Sequence, residues 1–189
     1  IRDTSVTGVQ TCALPISLLN IAKHYKTGEK LSEENFEKLL KNRTFNCGMA
    51  TLRQLHFAIT DLRLHSIIDK NEGKKADEIR REIAKQTTVI EPIKEDQFLC
   101  CFSHIFAGGY SAGYYSYKWA EVLSADAFSM FEEANLENSE DLKLIGKKFK
   151  DTILSLGGSL PPLDIFKKFR GRAPQTDSLI RHLGLSGTT

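Results

Sequence analysis

The sequence predicts an all-α protein, and three observations carry that expectation. Apolar residues recur at three- and four-residue steps through most of the chain, as in Met49, Leu52, Leu55, Ile59, Leu62 and Leu64. Capping residues, glycines and prolines fall between these periodic stretches, where helices start and stop. No strand-like alternation separates them, so there is no βαβ unit, and no internal repeat is present.

The first stretch, Ile1 to Ile16, reads IRDTSVTGVQTCALPI and has no helical period. Val6 to Ile16 resembles the translation of a common sequencing-adapter oligonucleotide. Residues 1–16 are therefore read as a foreign leader and set aside, the alternative being a natural disordered leader, and residues 17–189 as the folded portion. An open reading frame that began further upstream is expected.

Ser17 to Tyr25 reads as the end of a helix stopped by Gly28, since glycine turns left-handed at low cost. Ser32 is a good N-cap for a helix over about 33–40, with Glu33 and Glu34 in its first turn and Phe36, Leu39 and Leu40 as its buried stripe. Asn46 is placed as the cap of the longest helix, to about Ile68, which carries His56 and His65 as packed or surface histidines. A charged turn around Gly73 leads to a polar helix over 75–86, anchored by Ile79 and Ile83. Val89 to Pro92 is extended, because a residue before proline avoids the helix. A strong helix follows over 117–134 with Trp119 in the core. Ser139 is the expected cap of a helix over 140–156, stopped by Gly157 and Gly158. Pro162 opens a short helix to Phe169, and Asp177 begins a last one that Gly184 ends.

Composition narrows the function. The 189 residues suffice for a proper core. The net charge of +2 gives no push toward nucleic acid or acidic membranes. No apolar run is long enough to span a bilayer. Four cysteines, two of them adjacent (Cys100 and Cys101), do not make a disulfide framework, and a reducing cytoplasmic setting fits best. None of His24, His56, His65, His104 or His182 is followed by Glu, so the zinc-protease motif H-E-x-x-H is absent. Nucleotide-binding glycine patterns are absent too. The run Cys100 to His104 lacks a second ligand pair at zinc-like spacing.

What remains is Phe102 to Glu121, FSHIFAGGYSAGYYSYKWAE, dense in glycine and tyrosine. Tyr110, Tyr114 and Tyr117 are spaced four and three apart, which on a helix puts three phenols along one face. A neutral phenol in a fixed place can hydrogen-bond a peptide carbonyl, or the oxyanion formed when that carbonyl is attacked. Gly108 and Gly109 let backbone approach a ligand or act as a hinge. His104 lies close upstream as a further donor. The bland reading stays open beside this one: a glycine-rich turn opening a helix, with tyrosines lining an interhelix seam.

The run FSHIFAGGYSAGYYSYKWAEVLSADAF, Phe102 to Phe128, is very similar to the C-terminal part of the thimet oligopeptidase family of zinc metallopeptidases, and most like its bacterial oligopeptidase branch. HYKTGEKLSEENFEKLL, LRQLHFAITDLRLH and ILSLGGSLPPLDIFKKFRGRAPQ fit as well. The resemblance implies a mostly helical, two-lobed fold around a channel that admits short peptides. It implies a Zn2+ ion held by H-E-x-x-H and a downstream Glu, with the motif Glu as general base. By position it gives Tyr117 the oxyanion-stabilising role and makes His104 the catalytic histidine beside it. Tyr110 and Tyr114 become substrate-binding residues, and Gly108 and Gly109 part of a loop that closes over substrate. The zinc motif lies N-terminal to this region in the family and is missing here, with no metal ligand implied in this chain. The chain alone is therefore expected to hydrolyse nothing, to need the missing N-terminal half of the same enzyme, and to expose apolar patches. The alternative is a stand-alone helical module that binds peptides without cleaving them.

Overall fold

The computed structural model describes residues 21–66, 75–134 and 139–186. The leader over 1–16, the expected helix from Ser17 to Asn20 and the turn around Gly73 lie outside the described residues. The described chain is all-α. Its helices are α1 (Glu33–Thr44), α2 (Cys47–Ser66), α3 (Ala76–Thr87), α4 (Ser116–Glu133), α5 (Ser139–Phe149), α6 (Pro162–Arg170) and α7 (Asp177–His182). Single 3-10 turns stand at Phe98–Cys100 and Ser103–Ile105. Among the described residues the only β-pairing is an isolated bridge between Lys23 and Lys30, and no helix is long and apolar enough to cross a membrane.

The chain divides into two compact units, Asn46–Trp119 and Ile1–Phe45 with Ala120–Thr189. In the first, Phe57 and Ala58 of α2 pack with Phe102, Ile105 and Tyr114, and with the partly buried Leu64, Phe98, Leu99 and Tyr117. The core is aromatic: Phe57 stacks on Phe98 at 4.9 Å and lies 5.0 Å from Phe102. Two arginines of α3 bind the segment that follows. Arg80 donates to the Asp96 carboxylate at 2.9 Å, and Arg81 donates to the carbonyls of Ile93, Lys94 and Asp96 at 3.0–3.1 Å. These carbonyls belong to a loop with no ladder of its own, so the guanidinium donors tie its backbone to α3.

The face of α2 that is buried is not the one its apolar period singles out. His56, Phe57, Ala58, Thr60 and Asp61 are buried. Leu55, Ile59 and Leu62, at i, i+4 and i+7, are 38%, 42% and 41% exposed, and Met49 is exposed as well. His56 and Asp61 hold the interior because hydrogen-bond partners meet them there, which apolar periodicity cannot register, while the buried Thr60 hydroxyl has no such partner. His56 Nδ1, for one, lies 2.9 Å from Thr87 Oγ1 of α3. The helix is thus apolar on a face that nothing in its own unit covers. Asn46 does precede α2, but at φ 56, a left-handed conformation that Asn tolerates, not the extended one of an ordinary cap.

The second unit is built on Ala127, Phe166 and Phe169, with Leu123, Met130, Phe131, Ile145, Phe149 and Ile153 packed against them. Its polar centre is Asp126, fully buried on α4. The carboxylate accepts from both terminal nitrogens of Arg172 at 2.6 Å, from Gln175 N at 2.8 Å and from Arg170 Nε at 3.3 Å. Gly171 makes this convergence possible. At φ 81 it ends α6 and reverses the chain, so the arginines on either side of it reach one carboxylate.

Several expectations need correction. Ile21, the first described residue, is helical and Ala22 is not; Gly28, at φ 68, instead sits in the turn that follows, where its N–H donates to His24 O at 2.8 Å. Ser32 caps α1 as expected, accepting from Asn35 N, but α1 runs on to Thr44 and buries no residue; Leu39 and Leu40 are exposed. Trp119 is 48% exposed, not core. Ser139 is the first residue of α5 rather than its cap, and that helix passes into a π-helical turn over Lys150–Leu154. Hydroxyls compete for its carbonyls there: Thr152 Oγ1 donates to Lys148 O at 2.6 Å and Ser155 Oγ to Lys150 O at 2.7 Å. Pro162 opens α6, and Asp177 begins α7, as expected.

Candidate functional site

The site is a loop between two anchors. On one side Phe102 and Ile105 are buried in the aromatic core. On the other, α4 starts at Ser116. Between them the backbone folds on itself: Gly108 N donates to Ser103 O at 2.8 Å, Tyr110 N to His104 O at 3.1 Å and Ser111 Oγ to Ile105 O at 2.7 Å. Gly108 is required by space. A Cβ there would stand 2.8 Å from the Cα of His104, a contact real side chains do not make. Gly109 is required by conformation, at φ 81. Both glycines therefore shape a closed turn on which His104 sits, exposed at the edge.

A helical face was expected to unite the three phenols. The structure corrects the route but not the meeting. Only Tyr117 is helical; Tyr110 and Tyr114 lie in the turns before α4. Their rings converge all the same. Tyr110 and Tyr117 have centroids 5.1 Å apart and Tyr114 and Tyr117 5.0 Å apart. The His104 ring lies 6.2 Å from Tyr110 and 6.1 Å from Tyr114. Tyr115 points away and is exposed. All the residues singled out from the sequence around this loop thus fall in one place.

The electrostatics favour neutral phenols. Hydrogen bonding with Tyr110 pushes the Tyr117 pKa up to about 12, helped by burial and by the neighbouring phenols. Burial raises that of Tyr114, against the opposing charge of Arg53. The Tyr114 hydroxyl donates to Gln54 Oε1 of α2 at 3.0 Å, which leaves its oxygen as an acceptor. The Tyr110 and Tyr117 rings lie 5.1 Å apart, so their two phenols stand side by side.

Asp61 belongs to the same place, although no motif in the sequence singles it out. This residue of α2 is fully buried, and its two carboxylate oxygens accept from Ala112 N and Tyr114 N, each at 2.9 Å. His65 Nδ1, one turn on, lies 2.8 Å from Oδ1. The available signal was a lone acid inside the apolar run Phe57 to Leu62, where a charge is tolerated only if partners meet it.

Two further features complete the unit. A cavity of about 410 Å³ opens between α2, α3 and the segment after α3, lined among others by Met49, Arg53, His56, Arg80, Val89 and Asp96. None of the tyrosines lines it. Burial, then the charges of Arg80 and Arg53, lower the pKa of His56, so it sits there neutral. Among the described residues no three His, Cys, Asp or Glu side chains come together as a metal site would require.

Residues 11–185 match the family described as Peptidase family M3. The probable cytosolic oligopeptidase A of Arabidopsis thaliana is 54% identical over 169 residues, covering 89% of this chain and 24% of that protein. The organellar oligopeptidase A of chloroplasts and mitochondria from the same plant is also 54% identical over 169 residues, 89% of this chain and 21% of that protein. Oligopeptidase A of Escherichia coli (strain K12) is 47% identical over 176 residues, 93% of this chain and 25% of that protein. The chain therefore spans about a quarter of the length of these curated relatives. A helical chain whose tyrosine and glycine loop lies inside a match of this extent belongs to peptidase family M3.

Proposed function

We propose that this chain supplies the substrate-binding and oxyanion-stabilising side of a zinc-dependent oligopeptidase that cleaves short peptides. The observation that carries the reading is the convergence of Tyr110, Tyr114 and Tyr117 beside His104 on a loop inside the family match. Among the described residues no three His, Cys, Asp or Glu side chains meet as zinc ligands would, and the role assigned to this chain's residues is hydrogen bonding. The resemblance puts the zinc motif and general base in the part of the protein outside this chain, which is the partner the chain needs. Residues 17–189 form the peptidase portion and residues 1–16 a foreign leader, although the family match begins at residue 11, inside that leader. Genomic sequence that carries those sixteen codons in frame would contradict the leader assignment. A cytoplasmic location belongs to this reading and is supported by the relative named cytosolic.

The chain's own contribution is hydrogen bonding. When a peptide carbonyl is attacked, its oxygen gains charge, and a donor already in place stabilises that charge more than it stabilises the ground state. Tyr117 is the donor. Its raised pKa keeps it protonated throughout the neutral range. Tyr110 stands beside it, with 5.1 Å between the two rings, as a further neutral phenol facing the substrate. Tyr114, whose proton is committed to Gln54, offers an oxygen to a peptide N–H. His104 flanks both rings from the exposed side.

The test uses the full-length enzyme. Tyr117→Phe is expected to lower kcat by about 100- to 1000-fold, with KM little changed, the loss typical of one oxyanion donor. A change confined to KM would make Tyr117 a ground-state binding residue instead. In parallel, this chain alone is assayed on a quenched short peptide with and without zinc. Zinc-dependent turnover would overturn the assignment of the metal centre to the rest of the protein.

A further inference from the structure

We propose that Asp61 is the positioning residue of the tyrosine site: its buried carboxylate fixes where Tyr114 stands, and through Tyr114 where Tyr117 and Tyr110 stand, without itself touching substrate. The inference rests on the reading of these tyrosines as substrate-facing.

A fully buried carboxylate persists only where donors meet it. Here they are two backbone amides of the site loop, 51 and 53 residues away in sequence, beside His65 Nδ1 on the same helix, 2.8 Å from Oδ1. One oxygen takes Ala112 N and the other Tyr114 N, each at 2.9 Å. One bond would leave the loop free to pivot. Two bonds to amides two residues apart fix both its position and its orientation. Ala112 lies at φ 55, a conformation that alanine avoids and that needs outside support. The Asp61 bond to its amide is such support. The far end of the same tyrosine is also held, by Gln54. Gln54 and Asp61 are seven apart on α2, two turns along one face, so a single rigid helix grips Tyr114 by backbone and by hydroxyl. Tyr117 then packs on Tyr114 at 5.0 Å, and Tyr110 on Tyr117 at 5.1 Å. The chain of placement runs from α2 to the donor that meets the substrate.

The experiment is a double-mutant cycle in the full-length zinc-loaded enzyme, with Asp61→Asn and Tyr117→Phe made singly and together. Steady-state kinetics on a quenched short peptide are read with the thermal midpoint of each variant. Asn keeps the shape and one acceptor but turns a donor toward one of the two amides. Asp61→Asn is expected to lower kcat by roughly 10- to 100-fold with KM within about twofold, as misplacement by about an ångström does. If Asp61 acts through Tyr117, the double variant is no more than about threefold slower than Tyr117→Phe alone. Losses that multiply in full would overturn the proposal, because a merely structural role acts independently of the phenol. An Asp61→Asn enzyme with unchanged kcat beside a crippled Tyr117→Phe enzyme would overturn it and leave the tyrosine reading standing. A harmless Tyr117→Phe would overturn both. Should Asp61→Asn fail to fold, Gln54→Leu releases the other end of Tyr114 without touching a charge. It should show the same non-additivity at smaller scale, and an unchanged kcat in it would count against placement through Tyr114.

Discussion

Replacing Asp126 by Asn should destabilise the unit formed by residues 21–45 and 120–186 by about 3 kcal/mol, a figure worked from the contacts the carboxylate makes. Asn keeps one acceptor oxygen and puts an NH2 where the other stood. If that oxygen serves Arg172 Nη2 and Arg170 Nε, the new donor faces Arg172 Nη1 and Gln175 N, which now lie at 2.6 and 2.8 Å from Oδ2. Losing the charge-assisted bond costs about 1.5–3 kcal/mol, and an unsatisfied buried amide adds about 1–3 kcal/mol. Arg172 is a third exposed and recovers hydration, while Arg170 keeps Ser129 and both oxygens of Glu133. The sum therefore falls at the low end of the roughly 3–5 kcal/mol expected when one partner of a buried pair is removed. In urea, at a slope of about 2 kcal/mol/M, the midpoint should fall by roughly 1.5 M. The pH dependence carries a second signature. Burial pushes the Asp126 carboxyl up, but the Arg172 hydrogen bonds, the Gln175 amide, the Arg172 charge and the Arg170 hydrogen bond outweigh it and hold the pKa below the usual value. A carboxyl depressed in the folded state contributes stability that is complete above its unfolded pKa of about 3.9 and is lost as pH falls through its folded value. The Asn variant should lack that part of the acid limb. A midpoint shift under about 0.5 M with unchanged slope, or an acid limb identical to wild type, would refute the claim that Asp126 holds this unit together.

Two further outcomes concern the other unit. Tyr110→Phe removes the hydrogen bond that raises Tyr117, whose pKa should return toward about 10. At about pH 11 the Tyr117 phenol would then be about nine-tenths ionised instead of about one-tenth, read as loss of the highest-pH step of the phenolate absorbance titration; a curve that keeps that step would refute this. Ile59→Glu, on the exposed apolar face of α2, should reduce self-association of this chain in light scattering while costing the full-length enzyme about 3–5 kcal/mol, as an unpaired buried charge does. Equal tolerance in both settings would show that this face meets water in the enzyme.

The sequence made the helices legible because their signals are local. Ser32 and Pro162 act within a turn of where they stand, and period and caps located most boundaries to within a few residues. The tyrosine site was legible for a mixed reason. Its residue types pointed to hydrogen bonding at a peptide, yet the helical face invoked to unite them does not exist over residues 110–115. What brings Tyr110 and Tyr114 to Tyr117 is a loop pinned to α2 across more than fifty residues, and no local pattern encodes a partner at that distance. Asp61 and Asp126 were missed on the same ground. Each reads as an ordinary acid until the fold delivers amides and guanidinium groups to it. Trp119 shows the converse error, since bulk and apolarity imply burial only when something is present to do the burying.

Helix α2 meets the same limit on a larger scale. Its Gln54 and Asp61 grip the tyrosine loop, while Leu55, Ile59 and Leu62 form a separate stripe open to solvent. A helix apolar on more than one face belongs in the interior of something larger than its own unit. The chain spans only about a quarter of its relatives' length, so the proposed remainder of the enzyme is the natural cover for that stripe. The two faces are then coupled. A cover that fixes the axis of α2 fixes Asp61, and Asp61 fixes Tyr114. In the complete enzyme the placement of the phenols would depend on polypeptide that never touches them. Substitutions along the Leu55 stripe should accordingly lower kcat through the tyrosines before they unfold the protein.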